Sequence, residues 1–346
     1  MTPEETARLL DAFADPFLVI DGRQRIVRAN AAASARFDRA ASDLTGLDLV
    51  RVVRHPEALR AVDRVLAGET EATATFQTYR PVEGTMELRT VRLVPDGPIA
   101  LMFRDTGAER EAERMRSDFV ANVSHELRSP LTTLKGSIET LAGPAREDAE
   151  ARDRFLDLMA REAERMDRLI SDLLSLSKVE SNERVRPTAP VDLVPLVQRM
   201  LDLLRLRAAE ADMTIEFEGP GTALPVPGDE DQIAQVVSNL VENAIRYGAG
   251  GDRVEVSLQR AEGAAGFRTG VAVLRVRDFG IGIAPQHIPR LQERFYRVDT
   301  GRSRDRGGTG LGLAIVKHIV NRHRGRVRIE SVEGEGTTFE VMLPTS

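Results

Sequence analysis

His125 is the residue of this sequence whose setting is most suggestive of chemistry. It lies in Phe119-Val120-Ala121-Asn122-Val123-Ser124-His125-Glu126-Leu127-Arg128-Ser129-Pro130-Leu131-Thr132. Met115, Phe119, Val123, Leu127, Leu131, Leu134, Ile138 and Leu141 recur at spacings of three and four, the mark of one apolar helix face. His125 is two residues from both Val123 and Leu127, so it points roughly 200° away from that face, into water. A neutral imidazole offers a nitrogen lone pair near pH 7. Glu126 follows directly and is placed to take a proton from the other ring nitrogen. Pro130 removes the helical bond to the carbonyl of Glu126, which predicts a bend beside the histidine. A lone histidine on a polar helix face is more often incidental, so the case rests on its neighbours.

A second set of residues suits nucleotide chemistry. Asn239 and Asn243 stand four apart on one helix face, and amide oxygens are hard donors of the kind Mg²⁺ takes beside phosphates. Asp278 closes a strand, where its carboxylate can accept a hydrogen bond from an adenine amine. Gly280 and Gly282 beyond it leave room for a flat base near the backbone. Gly307-Gly308-Thr309-Gly310-Leu311-Gly312-Leu313 opens a helix, and backbone N–H groups at such a start cradle phosphate. These glycines follow a polar segment rather than a strand, so a dinucleotide-binding reading fits poorly. Val298 to Arg306 is charged and glycine-containing, as a lid would be, and Arg302, Arg304 or Arg306 could meet phosphates or simply be solvated. Arg290-Leu291-Gln292-Glu293-Arg294-Phe295-Tyr296-Arg297 places aromatics beneath that segment, or ends an amphipathic helix.

The stretch around His125 resembles the H-box of sensor histidine kinases, F-x-N-V-S-H-E-L-R-T-P-L-T, with Ser129 where threonine is usual. The resemblance implies that His125 accepts a phosphoryl group from ATP and that Glu126 is its base. It also implies that Ser129 orients water for dephosphorylating the partner. The other four motifs, in order and spacing, resemble the N, G1, F and G2 boxes of the Bergerat ATP-binding fold. That assigns Mg²⁺ to Asn243, nucleotide contacts to Asn239, Arg246 and Tyr247, and adenine to Asp278 with Gly280 and Gly282. The phosphate region falls to Gly308, Thr309, Gly310, Leu311 and Gly312. Arg246 stands where lysine is common and keeps the charge; Gln292 replaces a usual phenylalanine. The run "ERMRSDFVANVSHELRSPLT" is similar to the phosphate-regulon sensor subgroup.

The elements that must position these residues are legible in outline. A helix from Ala108 to Leu141 would be on the order of 50 Å long, broken by Gly143-Pro144. A second helix spans Asp148 to Val179, with Phe155, Leu158, Met159, Met166, Leu169, Ile170, Leu173 and Leu176 as its stripe. Two antiparallel helices cannot cover both stripes; hairpins from two chains can, as a four-helix bundle. A homodimer is therefore expected, with His125 outside the bundle. Ser181 to Pro190 reads as a polar linker. Beyond it, helices are expected at Leu193–Ala211, Asp229–Tyr247 and Leu311–Arg322. Strands are expected at Thr214–Phe217, Arg253–Gln259, Val271–Asp278, Arg326–Ser331 and Thr338–Leu343, giving one mixed sheet with helices on one face.

Upstream, residues 5 to 14 read as a short helix. Pro16–Ile20 and Arg25–Asn30 read as strands about an Asp-Gly turn. Helical patterns follow from Ala31 to about Leu66, then strand-like runs at Glu71–Tyr79, Met86–Val94 and Ile99–Arg104. The run "PFLVID…QRIVRANAAA" resembles a PAS domain. We expect a dimerising or signal-relaying domain without a firmly bound cofactor. His55 is conceivable as a haem ligand, but a surface loop histidine is the commoner case. Asp105-Thr106 partly resembles the signature coupling PAS domains to downstream helices, or is a plain linker.

The fold class expected is therefore multidomain α+β. Residues 1–105 would form a PAS-like α/β sensor domain. Residues 106–182 would form a coiled-coil linker and dimerisation/histidine phosphotransfer hairpin, and residues 191–346 a Bergerat-type α/β sandwich binding ATP. At 346 residues, 29% charged and 42% hydrophobic, the chain has ordinary globular composition. A net charge of −6 and no basic patch argue against a nucleic-acid partner. Lack of cysteine excludes disulfides and cysteine-ligated clusters. No apolar run approaches the roughly 18 residues of a membrane span, and no signal-peptide pattern is present. A cytoplasmic location is expected, with membrane association if an N-terminal anchor has been lost. The function expected is a sensor histidine kinase using ATP and Mg²⁺. It would autophosphorylate and then transfer to an aspartate of a response-regulator receiver domain, with phosphatase activity besides. A silent scaffold and a conformation-driving ATPase are the rivals; intact His125, Asn243, Asp278 and Gly310 argue against the first, and the second has no need of a histidine displayed on a helical bundle.

Overall fold

In the computed structural model, the residues described are 8–78, 84–182, 185–248, 250–263, 266–267, 270–298 and 308–345. The chain divides into two compact units, Met1–Val120 and Ala121–Ser346.

The first unit is a five-stranded antiparallel sheet, built from β1 (Phe17–Ile20), β2 (Ile26–Ala29), β3 (Glu71–Thr78), β4 (Gly84–Arg92) and β5 (Ile99–Asp105) in the order β2-β1-β5-β4-β3. Helices α1 (Ala31–Phe37), α2 (Ala41–Leu44) and α3 (Pro56–Leu66) fall between β2 and β3. Alternate strand residues Leu18, Ile20, Leu88, Leu101 and Phe103 meet Ala58, Ala61, Val62 and Val65 of α3 in one apolar core. Asn30, 1% exposed, fixes how the chain enters this core. Its Oδ1 accepts the N–H groups of Phe17 at 2.9 Å and Ala33 at 2.8 Å, capping α1. Its Nδ2 donates to the carbonyls of Leu10, Phe13 and Asp15 at 3.0–3.3 Å.

Three expectations change here. His55 does not lie free on a surface loop: it caps α3, its Nδ1 accepting the Glu57 N–H at 3.3 Å, while its ring stacks on Phe76 at 4.7 Å. Strand β4 ends at Arg92 rather than Val94, because Leu93 and Val94 lead into a turn closed by the Gly97 N–H on the Val94 carbonyl. Asp105 and Thr106 do more than link. The Asp105 carboxylate accepts the Gly107 N–H at 2.9 Å, and the Thr106 hydroxyl donates to the Thr85 carbonyl at 3.3 Å, pinning the start of the next helix to β4.

That helix, α4 (Gly107–Ala142), continues through Pro130. The second unit begins within it. α4 pairs with α5 (Ala149–Ser181), whose N-cap Asp148 accepts the Ala151 N–H at 2.9 Å. Leu131, Ile138 and Leu174 remain 54–67% exposed on this hairpin.

The rest of the unit is a mixed five-stranded sheet. Its strands are β7 (Thr214–Glu218), β9 (Arg253–Ala261), β10 (Val271–Asp278), β11 (Arg326–Val332) and β12 (Gly336–Pro344), ordered β11-β12-β10-β9-β7. Only the β7–β9 pairing is parallel. Helices α6 (Leu193–Glu210), α7 (Glu230–Tyr247) and α8 (Gly312–Arg322) cover one face. Val197, Ile233, Val237 and Ile319 meet Leu258, Leu274 and Val341 there. The opposite face carries cross-strand charges such as Arg275 with Glu340 at 2.6 Å. Two short strands escaped the sequence reading, β6 (Pro190–Asp192) and β8 (Pro225–Pro227), which pair with each other. The linker is accordingly shorter than expected. Arg322 Nε also donates to the carbonyls of Asn182 at 3.2 Å and Val185 at 3.0 Å.

Candidate active site

Helix α7, strand β10 and the turn before α8 converge on a cavity of about 430 Å³. α7 is held at its start by its N-cap Asp229 and by His323, whose Nε2 accepts the Asp229 N–H at 3.0 Å. The His323 Nδ1 lies 2.8 Å from the Ile319 carbonyl, and burial pushes its pKa down, so the ring is a neutral staple with its proton on Nδ1. From that anchored start, helical periodicity brings Asn239, Glu242, Asn243, Arg246 and Tyr247 to the cavity wall.

Asp278 closes β10 and lines the cavity although it is only 4% exposed. Burial raises its pKa; backbone N–H groups of Gly280, at 3.0 Å, and Thr337 oppose that shift. Gly280 lies one layer behind the wall. A Cβ there would come within 2.3 Å of the Tyr247 carbonyl oxygen, so glycine is what lets the strand end meet α7. Gly282 lines the wall itself, with Ile281, Ile283, Leu291, Leu313 and Phe339 as apolar neighbours.

At the other end stand Gly308, Thr309, Gly310 and Gly312. Gly310 has φ +73°, and a Cβ on it would press within 2.9 Å of the Phe295 backbone. The Phe295 N–H donates to the Gly310 carbonyl at 2.8 Å, joining the two segments. Leu311 does not line the cavity. It is the buried N-cap position of α8, and its N–H donates to the Thr309 hydroxyl at 3.2 Å. Asn239 Nδ2 donates to the Gly312 carbonyl at 3.2 Å. The segment before the cavity forms a short 3₁₀ turn, Ile288–Arg290, rather than an amphipathic helix end. Tyr296 is fixed there by a 2.6 Å contact between its hydroxyl and His287 Nδ1 and by the Arg290 guanidinium over its ring. Arg302, Arg304 and Arg306, with Gly307 and most of the expected lid, lie outside the described residues.

On α4, His125 and Ser129 are exposed, as a polar helix face requires. Glu126 is not: its carboxylate takes Arg165 of α5 at 2.9 Å and Arg297 at 3.3 Å. The Arg297 side chain is 5% exposed, lines the cavity, and also donates to the Gly308 carbonyl. Thus Glu126 and the cavity share one guanidinium. α5 contributes Arg168, Ser171 and Asp172 to the wall, and α6 contributes Arg207. Sequence reasoning gave none of these residues a role. Arg297 stood inside a quoted motif. Arg165 and Asp172 carry no local signal, because only tertiary packing decides what a polar helix face meets.

This architecture corresponds to recognised families along its length. Residues 10–111 match the PAS fold, residues 115–182 the His Kinase A (phospho-acceptor) domain, and residues 228–346 the Histidine kinase-, DNA gyrase B-, and HSP90-like ATPase. The chain belongs to the sensor histidine kinases of two-component systems, ATP-dependent protein-histidine kinases. It is 35% identical to the phosphate regulon sensor protein PhoR of Pseudomonas aeruginosa over 97% of this chain and 72% of that protein. It is 33% identical to the sensor protein kinase WalK of Staphylococcus saprophyticus, covering 99% of this chain and 56% of that one. With the Bacillus subtilis sensor histidine kinase WalK it shares 38% identity over 72% of this chain and 40% of the relative. The structure of histidine kinase ThkA in complex with response regulator protein TrrA superposes over 98% of both chains, with TM-score 0.54 and 20% identity, a likeness of fold. Among the described residues, no helix is long and apolar enough to cross a membrane.

Proposed function

We propose that His125 is the phosphoacceptor and that the cavity between α7, β10 and α8 holds the ATP that supplies it. The observation that carries this reading is Arg297, which lines the cavity and pairs with Glu126, the residue next to His125. Adenine would lie against Asp278, flanked by Ile283 and Phe339, with phosphates toward Gly308–Gly312, Arg246 and Arg297. The donor set fits Mg²⁺. The Asn243 amide faces the cavity, with Asn239 and the Glu242 carboxylate beside it, all hard oxygen ligands. When bound, the ion would offset phosphate charge.

The imidazole nitrogen attacks the γ-phosphorus, the N–P bond forms, and the bond to the ADP oxygen breaks. Glu126 takes the proton from the other ring nitrogen, for which it must leave the two guanidinium groups that now neutralise it. Positioning and charge compensation by Arg246, Arg297 and the backbone N–H groups do the remainder. The phosphoryl group then passes to an aspartate of a response-regulator receiver domain. Ser129, one helical turn after His125, would orient water to hydrolyse the phosphoaspartate of the partner, releasing inorganic phosphate.

We further read the chain as a homodimer, since Leu131, Ile138 and Leu174 are an apolar face one hairpin leaves bare. Residues 1–105 would sense, 106–182 dimerise and carry His125, and 191–346 bind ATP, in the cytoplasm where ATP and receiver domains are found. Incubation with γ-labelled ATP tests the core of this reading. Wild type should acquire acid-labile, alkali-stable label that His125→Ala lacks; equal labelling of the two would overturn it.

A further inference from the structure

Asp172 is a hairpin residue standing in the nucleotide cavity. Helix α5 lays one face against the ATP-binding part: Arg168, Asp172, Ser175, Leu176, Val179 and Glu180 follow at helical spacing. Leu176 and Val179 are buried. Ser175 donates to Gln235 Oε1 at 2.7 Å, and Arg294 donates to Glu180 at 2.6 Å. On that docked face Asp172 alone projects a carboxylate into the cavity wall, among Asn239, Asn243 and Gly308–Gly310. Its Oδ2 takes the Thr309 hydroxyl at 2.7 Å. Thr309 sits inside the glycine run that would cradle phosphate. Arg246 and Arg168 attract this carboxylate while Glu242 repels it, and burial raises its pKa. Even a half-buried carboxylate is costly unless something holds it there. The groups holding this one are those a phosphate would use.

We propose that Asp172 is an internal phosphate surrogate. Delivered by α5, it fills the phosphate end of the cavity while the ATP-binding part is docked, and it competes with the phosphates of an incoming nucleotide. The inference rests on the nucleotide reading of the cavity and adds its regulation. Two like charges in one partly desolvated site oppose each other. Nucleotide binding therefore pushes α5 away, and docking weakens nucleotide by the same factor, since coupling is reciprocal. Undocking also parts Arg297 from Glu126, so nucleotide arrival would free the base.

The test is calorimetric titration of the full chain with a non-hydrolysable ATP analogue in Mg²⁺, and separately with adenosine. Asp172→Asn keeps the shape and an acceptor for Thr309 but removes the charge. Asp172→Ala is the second variant, and Asp167→Asn, exposed on the same helix, is the charge control. Both Asp172 variants should bind the ATP analogue about fivefold or more tightly, with adenosine and the Asp167 variant unchanged. Equal tightening toward adenosine, tightening by Asp167→Asn, or no gain at Asp172 would each overturn the surrogate. If wild type binds neither ligand, the nucleotide reading itself falls and takes this inference with it. Binding of both ligands with Asp172→Asn matching wild type sinks the surrogate alone.

Discussion

The PAS-fold unit and the ATPase-fold part each lay helices on a five-stranded sheet, yet they use buried polar groups in opposite ways. In the first, Asn30 gives both amide atoms to the backbone: two N–H groups on its oxygen, three carbonyls on its nitrogen. In the second, Asp278 is almost as buried but keeps its carboxyl on a cavity wall, where burial raises its pKa. The first arrangement fixes a fold. The second keeps an ionisable group where charging it is costly, a cost that only a ligand would make worthwhile. Glu126 shows a third use, a carboxylate neutralised by two guanidinium groups from separate elements.

The sharpest way to break this contrast is at Glu126. Glu126→Gln should lower autophosphorylation about 10²–10⁴-fold without weakening nucleotide binding, read by titration. A drop in affinity of the same size would make the residue a structural tie instead of a base. Next is Asn30→Ala, which strips a cap and leaves buried carbonyls without their donor. The PAS-fold unit should lose about 2–4 kcal/mol in denaturant unfolding, with nucleotide binding untouched.

Asp278→Asn should go the other way in both respects. Nucleotide affinity should fall on the order of ten- to a hundredfold, while the protein gains stability at neutral pH by shedding a buried charge. The sign follows from the raised pKa. Above the folded-state pKa the wild-type carboxylate is charged in both states, and its burial counts fully against folding. As pH falls through that value the native state takes up a proton before the unfolded state does. The stability gap between variant and wild type should therefore close on acidification, toward the ordinary carboxylate pKa of about 3.9. A gap that widens in acid would mean that Asp278 is a stabilising ion.

The same contrast explains what could be read from the sequence. Val271–Asp278 is a strand as read, and Asp229 caps α7 at the expected place, because local pattern and local hydrogen bonding decide both. β6 and β8 were missed because Pro190, Pro225 and Pro227 look like linker, and only their mutual pairing makes them strands. β12 begins at Gly336, earlier than expected, since two turn-like residues extend its ladder opposite Asp278. Motif residues such as Asn243 and Asp278 could be named because their chemistry is local to their elements. Arg165, Arg297 and Asp172 acquire roles only through contacts between segments far apart in sequence, which no periodicity encodes.

One measurement goes straight to the centre. After incubation with ATP and Mg²⁺, tryptic digestion at alkaline pH yields the peptide Ser117–Arg128, which holds His125 together with Ser117 and Ser124. Tandem mass spectrometry of that peptide should place the phosphoryl group on the His125 ring. A phosphate found on either serine, or a peptide left unmodified while label appears elsewhere in the chain, would contradict the account.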